Sequence, residues 1–234
     1  MGGKGILGLT AMAHDKTEQL MNAIKAGDKP VIERLLQDDA ALLSARAPNG
    51  TSAILLAAYY GRADIAQIFV ANGAQLDLYE ACAVGDLERA RALVSENPGA
   101  VNSFAADGFF PLGLASFFGH GEIVGLLLGN GAQAGLAARN AQRVTALHGA
   151  VARGDAEIVK LLLENGADPN ARQESGFVPL HEAAANGKEA IARLLIEHGA
   201  KVDAAADDGK TAYDLAVARG QKAMAEWLLK VKNE

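Results

Sequence analysis

Residues 144–170 read VTALHGAVARGDAEIVKLLLENGADPN, and this stretch decides the fold. Its second half spaces apolar residues such as Ile158 and Leu162 along one helical stripe, which neighbouring elements can cover. Gly154 separates a segment of small residues from the Leu-rich segment, and Gly166 follows the latter. Glycine takes the left-handed conformation at little steric cost and so often ends a helix. The stretch therefore predicts two short helices in succession, each ended by a glycine.

The same pattern recurs along the chain. Seven glycines hold equivalent positions, each before a second, apolar helix, and we call them the phased glycines: Gly27, Gly61, Gly85, Gly119, Gly154, Gly187 and Gly220. Five of the six intervals between them are 33 to 35 residues long, and the interval from Gly61 to Gly85 is 24. A fixed period of this length is typical of solenoid proteins, in which each unit packs only on its neighbours.

The repeated motif resembles the ankyrin repeat. Segments 144–151 (VTALHGAV) and 178–184 (VPLHEAA) match the T-P-L-H-x-A-A part, and the Leu-rich segments with Asn-Gly-Ala or His-Gly-Ala match the rest. The resemblance covers 17–234 and implies an all-α, single-domain solenoid of about seven helix-turn-helix units with short β-hairpin fingers. Approximate units are predicted at 17–46, 47–77, 78–104, 105–139, 140–172, 173–205 and 206–234.

Two regions depart from the pattern. Residues 1–16 have no apolar core of the length found in a secretory signal, and their glycines predict a flexible leader. The third unit, 78–104, has no T-P-L-H motif, and its first helix reads LYEACAVG. Because the short interval falls just before this helix, we predict that the third unit lacks a normal finger.

Composition limits the classes of partner. The chain is 50% hydrophobic and 21% charged with a net charge of -6, which is typical of a globular protein and argues against nucleic-acid binding. No stretch approaches the roughly 18 to 20 apolar residues that span a bilayer. Cys82 has no second cysteine to pair with, which suits a reducing compartment. We expect a cytoplasmic monomer that binds another protein and contacts neither nucleic acid nor membrane.

The sequence shows no catalytic constellation. The G-x-G-x-x-G match at 3–8 has no preceding strand, which a dinucleotide site requires. His148 and His181 occupy equivalent positions, and the resemblance implies that their rings bond backbone at unit junctions. Neither lies in an H-E-x-x-H motif, and Cys82 has no spaced histidine. We therefore predict no cofactor, no bound metal and no enzymatic activity.

The ends of the first helices carry the candidate binding site. The resemblance implies that partners contact the fingers and these helix ends, on the concave face. The two residues before each phased glycine are aromatic in the second and fourth units and small in the third. Phe109, in the finger of the fourth unit, adds one more ring to this pattern. The pattern predicts partner contact at Tyr59, Tyr60, Ala83, Val84, Phe109, Phe117 and Phe118.

Other interpretations of these residues stay open. The rings could instead fill the space left by the missing finger, and Phe110, which replaces the Thr of T-P-L-H, is a candidate for burial. A basic group in and next to the fifth unit, formed by Arg139, Arg143, Arg153 and Arg172, is a weaker candidate, since small charge clusters are commonly only solvated. The rings of the second and fourth units are expected to wall a notch floored by Ala83 and Val84, and this notch could also receive a small molecule or metabolite.

Overall fold

The computed structural model of the chain describes residues 16–233. Fourteen α-helices lie within them and follow one another as seven consecutive pairs. The first helices of the pairs are α1 (16–26), α3 (Ala53–Tyr59), α5 (Leu78–Val84), α7 (Pro111–Phe118), α9 (Ala146–Arg153), α11 (Pro179–Ala185) and α13 (Ala212–Ala218). The second helices are α2 (Lys29–Asp38), α4 (Ala63–Ala71), α6 (Leu87–Glu96), α8 (Gly121–Gly129), α10 (Ala156–Glu164), α12 (Glu189–Glu197) and α14 (Lys222–Lys232).

The predicted leader, 1–16, lies outside the described residues apart from Lys16, and so does the glycine motif at 3–8. The bounds of the seven units stay a prediction, although the helix pairs follow the same order along the chain.

Local signals in the sequence fix the ends of each helix pair. In the fifth pair, Thr145 Oγ1 accepts a hydrogen bond from the backbone N–H of His148 and so caps α9. Gly154 ends α9 with a φ of +88°, in the left-handed region that favours glycine. Asp155 then caps α10 by accepting from the N–H of Ile158 at 3.1 Å. Each of these short helix pairs packs mainly on the adjacent pairs.

The helices form two rows. The first helices contact one another in the order α3, α5, α7, α9, α11 and α13, and the second helices α6, α8, α10 and α12 follow the same order. Alanines such as Ala57, Ala115 and Ala150 are fully buried in the first row and let its helices approach closely. The second row covers them with leucine and isoleucine. The predicted all-α repeat architecture is confirmed.

The loops before the first helices stand where β-hairpin fingers are expected. Among residues 16–233 there is no sheet, and three isolated bridges are present: Arg46–Ser52, Ala137–Thr145 and Ala205–Thr211. Successive loops are joined by single backbone bonds, from Arg139 to Gly108 at 2.8 Å and from Glu174 to Gln142 at 2.9 Å. The fingers are thus tight turns, and their expected β-hairpin character is not confirmed.

The loop before α5 is much shorter than the others. Six residues, 72–77, join α4 to α5, whereas fourteen, 39–52, join α2 to α3. The loops on either side come together over it. At Gly50 (φ +85°) an added Cβ would lie 2.5 Å from the Cβ of Ala106, in the loop before α7. The loops of the second and fourth pairs therefore touch above the third pair.

The two T-P-L-H histidines are part of the internal structure. His181 Nδ1 accepts from the N–H of Val178 at 2.9 Å, and its Nε2 bonds the carbonyl of Lys210, in the next loop, at 3.2 Å. His148 is 5% exposed, and its Nδ1 bonds the hydroxyl of Thr145 at 2.9 Å. Cys82 is completely buried, and this burial raises the pKa of its thiol.

None of the described helices combines the length and the apolar character needed to cross a bilayer. Within the same residues, no three His, Cys, Asp or Glu side chains converge in a group that could hold a metal ion.

Candidate partner-binding site

Four rings meet where the second and fourth helix pairs approach each other. Tyr59, the last residue of α3, lies 5.8 Å from Phe109 and 6.1 Å from Phe118, measured between ring centroids. Phe118 and Phe117, at the end of α7, pack edge to face at 5.1 Å. We call Tyr59, Phe109, Phe117 and Phe118 the aromatic cluster. The rings are in contact above the third pair instead of facing each other across an open notch.

Tyr59 is anchored at its polar end. Its hydroxyl donates a hydrogen bond to Asp107 Oδ2 at 2.8 Å, which joins α3 to the loop before α7. Burial raises the pKa of Tyr59, and the charge of Asp107 and this hydrogen bond raise it further. The phenol therefore stays protonated and keeps the ring in a fixed position.

Close backbone approach sets the position of Phe117. At Gly149, in α9, an added Cβ would lie 3.2 Å from the Cβ of Phe117 and 3.3 Å from its Cα. Without a side chain at Gly149, α9 can pack against the end of α7. Phe117 is then directed outward and is 48% exposed, whereas the other three rings of the cluster are half-buried. An exposed ring held on a close-packed helix is preorganised for contact.

Two depressions flank the cluster and share Tyr59, Phe117 and Ala152. One, of about 650 Å³, has Ala83, Val84, Phe118 and Arg153 in its wall, and we call it the arginine-side depression. The other, of about 540 Å³, has Phe109, Gln142, Glu174 and Glu182 in its wall, and we call it the glutamate-side depression. The two depressions adjoin at these shared residues, and we call them together the groove, which follows the ends of α3, α5, α7, α9 and α11.

The predicted site residues fall into two groups. Seven of the nine line this groove: Tyr59, Ala83, Val84, Phe109, Phe117, Phe118 and Arg153. Tyr60 is 51% exposed but lines neither depression. Arg143 is also exposed outside both, in a left-handed turn with a φ of +52°. The structure thus brings the aromatic residues together and leaves Tyr60 and Arg143 apart.

The other arginines of the predicted basic group are engaged within the protein. The guanidinium of Arg139 lies over the ring of Phe104 at 3.9 Å. Arg172 bonds Asp207 Oδ1 at 2.9 Å and the carbonyl of Ala205 at 3.0 Å. Only Arg153 of this group lines the groove, next to Gly119, so these four residues do not form one basic surface.

Three residues at or next to the groove were not predicted from the sequence. Asp107 supports Tyr59, and Glu174 and Glu182 give the glutamate-side depression its charge. Glu182 stands five residues before Gly187, one helical turn from Ala185 and Asn186 at the helix end, so the repeat register carried a signal for it. Asp107 and Glu174 lie in loops, where no periodicity indicates orientation.

The fold defines the class as a helical-repeat solenoid, and comparison with known proteins identifies the family. A model of the ankyrin repeats, with three copies, matches residues 78–173 and 147–234. The chain belongs to the ankyrin-repeat family. It is 35% identical over 101 residues to a mouse protein named ankyrin repeat and SAM domain-containing protein 6, and 34% identical over 101 residues to its rat counterpart. Each match covers 43% of this chain and 11% of the relative.

Ankyrin repeats are generally protein–protein interaction modules, and the family is typically non-enzymatic.

Proposed function

We propose that this chain is a non-enzymatic adaptor or scaffold that binds a segment of a partner protein along its concave groove, at the aromatic cluster. The observation that carries the proposal is the exposure of Phe117 between two connected depressions. Solvent-exposed aromatic side chains with buried, packed neighbours are typical hot spots of protein interfaces. Half-buried Phe118, which itself packs on Tyr59, packs edge to face on Phe117. The cluster thus both completes the helix stack and presents a contact surface.

The shape of the groove favours an extended partner over a metabolite. A small-molecule site is commonly one enclosed cavity that covers most of the ligand. In this chain two depressions lie side by side, and their walls include the exposed residues Ala152 and Arg153. A peptide segment can occupy both depressions by passing over Phe117, which a compact ligand cannot do. A small-molecule receptor therefore remains the second candidate.

We also propose that the protein acts in the cytoplasm. The support is the single cysteine, Cys82, whose thiol is buried in the first row of helices. Such a thiol contributes to packing and has no disulfide role, as is common in reducing compartments.

Selection from a random twelve-residue peptide display library tests the proposed function. We expect the wild-type protein to enrich a peptide family, and Phe117→Ala to bind the selected peptide about thirtyfold more weakly in fluorescence anisotropy, as loss of a hot-spot side chain implies. Tyr60→Ala is a matched control, because Tyr60 is 51% exposed against 48% for Phe117 but lies outside the groove. Absence of enrichment, or equal losses in both variants, would contradict the proposal.

A further inference from the structure

Two carboxylates in the glutamate-side depression have no cationic partner. Glu174 is exposed in the loop before α11, and Glu182 is half-buried on α11. Glu182 Oε1 accepts a hydrogen bond from Asn186 Nδ2 at 2.7 Å, and this neutral amide leaves the negative charge uncompensated. Neither carboxylate takes part in any of the salt bridges formed by residues 16–233.

Nearby basic groups are directed elsewhere. Arg172 pairs with Asp207, Arg139 stacks on Phe104, and exposed Arg143 lies outside the depression. His148 does line it, but burial lowers the pKa of this imidazole to about 4, so the ring is neutral at pH 7. In the described part of the chain, therefore, no positive charge stands in the wall that holds the two carboxylates.

The opposite wall of this depression consists of rings. Tyr59, Phe109 and Phe117 contribute their side chains, and the hydroxyl of Tyr59 is held by Asp107 on the far side. The face of an aromatic ring attracts a cation, and the attraction grows as water is excluded. The long aliphatic stem of a lysine or arginine also packs well on apolar surface while its charged end stays near polar groups.

We propose that the glutamate-side depression receives a basic side chain of the partner segment, with its stem on Tyr59, Phe109 and Phe117 and its charge between Glu174 and Glu182. The inference rests on the proposed function, because it specifies the occupant of the same groove. The arginine-side depression has the opposite charge preference owing to Arg153. The two ends of the groove therefore prefer opposite charges, and the basic residue of the segment lies at the α11 end.

The test uses the peptides selected on the wild-type protein. We expect them to share one basic position, and replacement of that residue by methionine should weaken binding about tenfold, as two partly exposed ion pairs allow. The variant Glu174→Gln/Glu182→Gln keeps the size of both side chains and the acceptor for Asn186. It should bind the basic peptide about tenfold more weakly and the methionine peptide as the wild type does.

A second double variant controls for net charge. Glu122→Gln/Glu157→Gln removes two exposed carboxylates from the second helices α8 and α10, away from the groove, and should bind both peptides like the wild type. Enriched peptides without a shared basic residue, or equal weakening by both double variants, would overturn this inference and leave the proposed function standing. Failure to enrich any peptide would instead overturn the proposed function.

Discussion

Phe110 and Gly113 show how a motif can be replaced by a different pair of residues. They stand where the fifth helix pair has Thr145 and His148, whose side chains bond each other at 2.9 Å. Phe110 is fully buried, and an added Cβ at Gly113 would lie 2.9 Å from the end of its ring. The phenyl ring thus takes the space that an imidazole would need, and an apolar contact replaces a hydrogen-bonded pair.

This exchange predicts strong coupling between the two positions. Gly113→His should destabilise the protein by about 3 kcal/mol through overpacking, and Phe110→Thr by a similar amount through a cavity. Together they restore the Thr–His pair of the neighbouring repeat, so the double variant should lose at least about 1 kcal/mol less than the sum. Urea unfolding of the four proteins measures the coupling, and additive losses would contradict the assignment.

At the scale of elements, five of the seven residues that follow the phased glycines have one of two tasks. Where it is Asp, as at Asp86 and Asp155, it caps its own second helix. Where it is a donor, it extends back to the preceding pair: His120 bonds the carbonyl of Ala83 at 3.2 Å, and Lys188 Nζ bonds those of Val151 and Ala152 at 2.9 and 2.7 Å. The type of residue at this position therefore decides whether the last carbonyls of the preceding first helix accept a hydrogen bond from the next pair.

Lys188 closes the end of α9, and its ammonium should therefore contribute measurable stability. Lys188→Met keeps the aliphatic stem but removes both hydrogen bonds to the last carbonyls of the helix, and we expect a loss of about 2 kcal/mol in the free energy of unfolding. Lys160→Met is the control, because Lys160 faces only Glu164 at 3.9 Å on the exposed side of α10. A loss for Lys188→Met no larger than for Lys160→Met would argue against the capping role.

Local elements were predictable because their signals are local. The phased glycines and the apolar stripe of 144–170 predict the helix pairs, because each signal depends only on residues a few positions apart. The pairing of Tyr59 with Asp107 joins residues 48 apart and depends on how closely two loops approach over a short third loop. No pattern in the sequence reports how closely the loops of the second and fourth pairs approach. The rings were therefore expected on two sides of a notch, whereas in the structure they touch.

The two tyrosines illustrate the same limit within one helix end. Tyr59 and Tyr60 are adjacent, and successive helical residues point about 100° apart, so one can enter the groove while the other points away from it. The sequence placed both at the site because the repeat phase identifies the helix end but not the rotation of each side chain there. The structure distinguishes them, with Tyr59 in the cluster and Tyr60 outside it.

For the whole molecule, three histidines at successive helix pairs link stability to pH. Burial is the main cause that lowers the pKa of His120, His148 and His181, and for His148 the value falls to about 4 from 6.5. The unfolded chain takes up protons as pH falls below 6.5, whereas folded His148 does not until about pH 4. Its contribution to stability is therefore complete above pH 6.5 and is lost as pH falls toward 4.

The loss from His148 alone should amount to about 3 kcal/mol over that interval. Urea unfolding at pH 7.5 and pH 5 measures about 2 kcal/mol of this loss, because pH 5 still lies above the folded pKa of about 4. His148→Gln should show a smaller difference between the two pH values than the wild type. An equal or steeper dependence in the variant would show that His148 does not carry the effect.

The contact between Tyr59 and Asp107 also bears on how the array comes apart. A regular solenoid behaves as a one-dimensional chain in which each unit is coupled to its nearest neighbours, so fraying can proceed one unit at a time. In this chain the second pair is fastened to the fourth, with the third enclosed between them. Fraying from the N-terminal side therefore meets a block of three pairs that must open together, and the groove lies on that block and the two pairs that follow it.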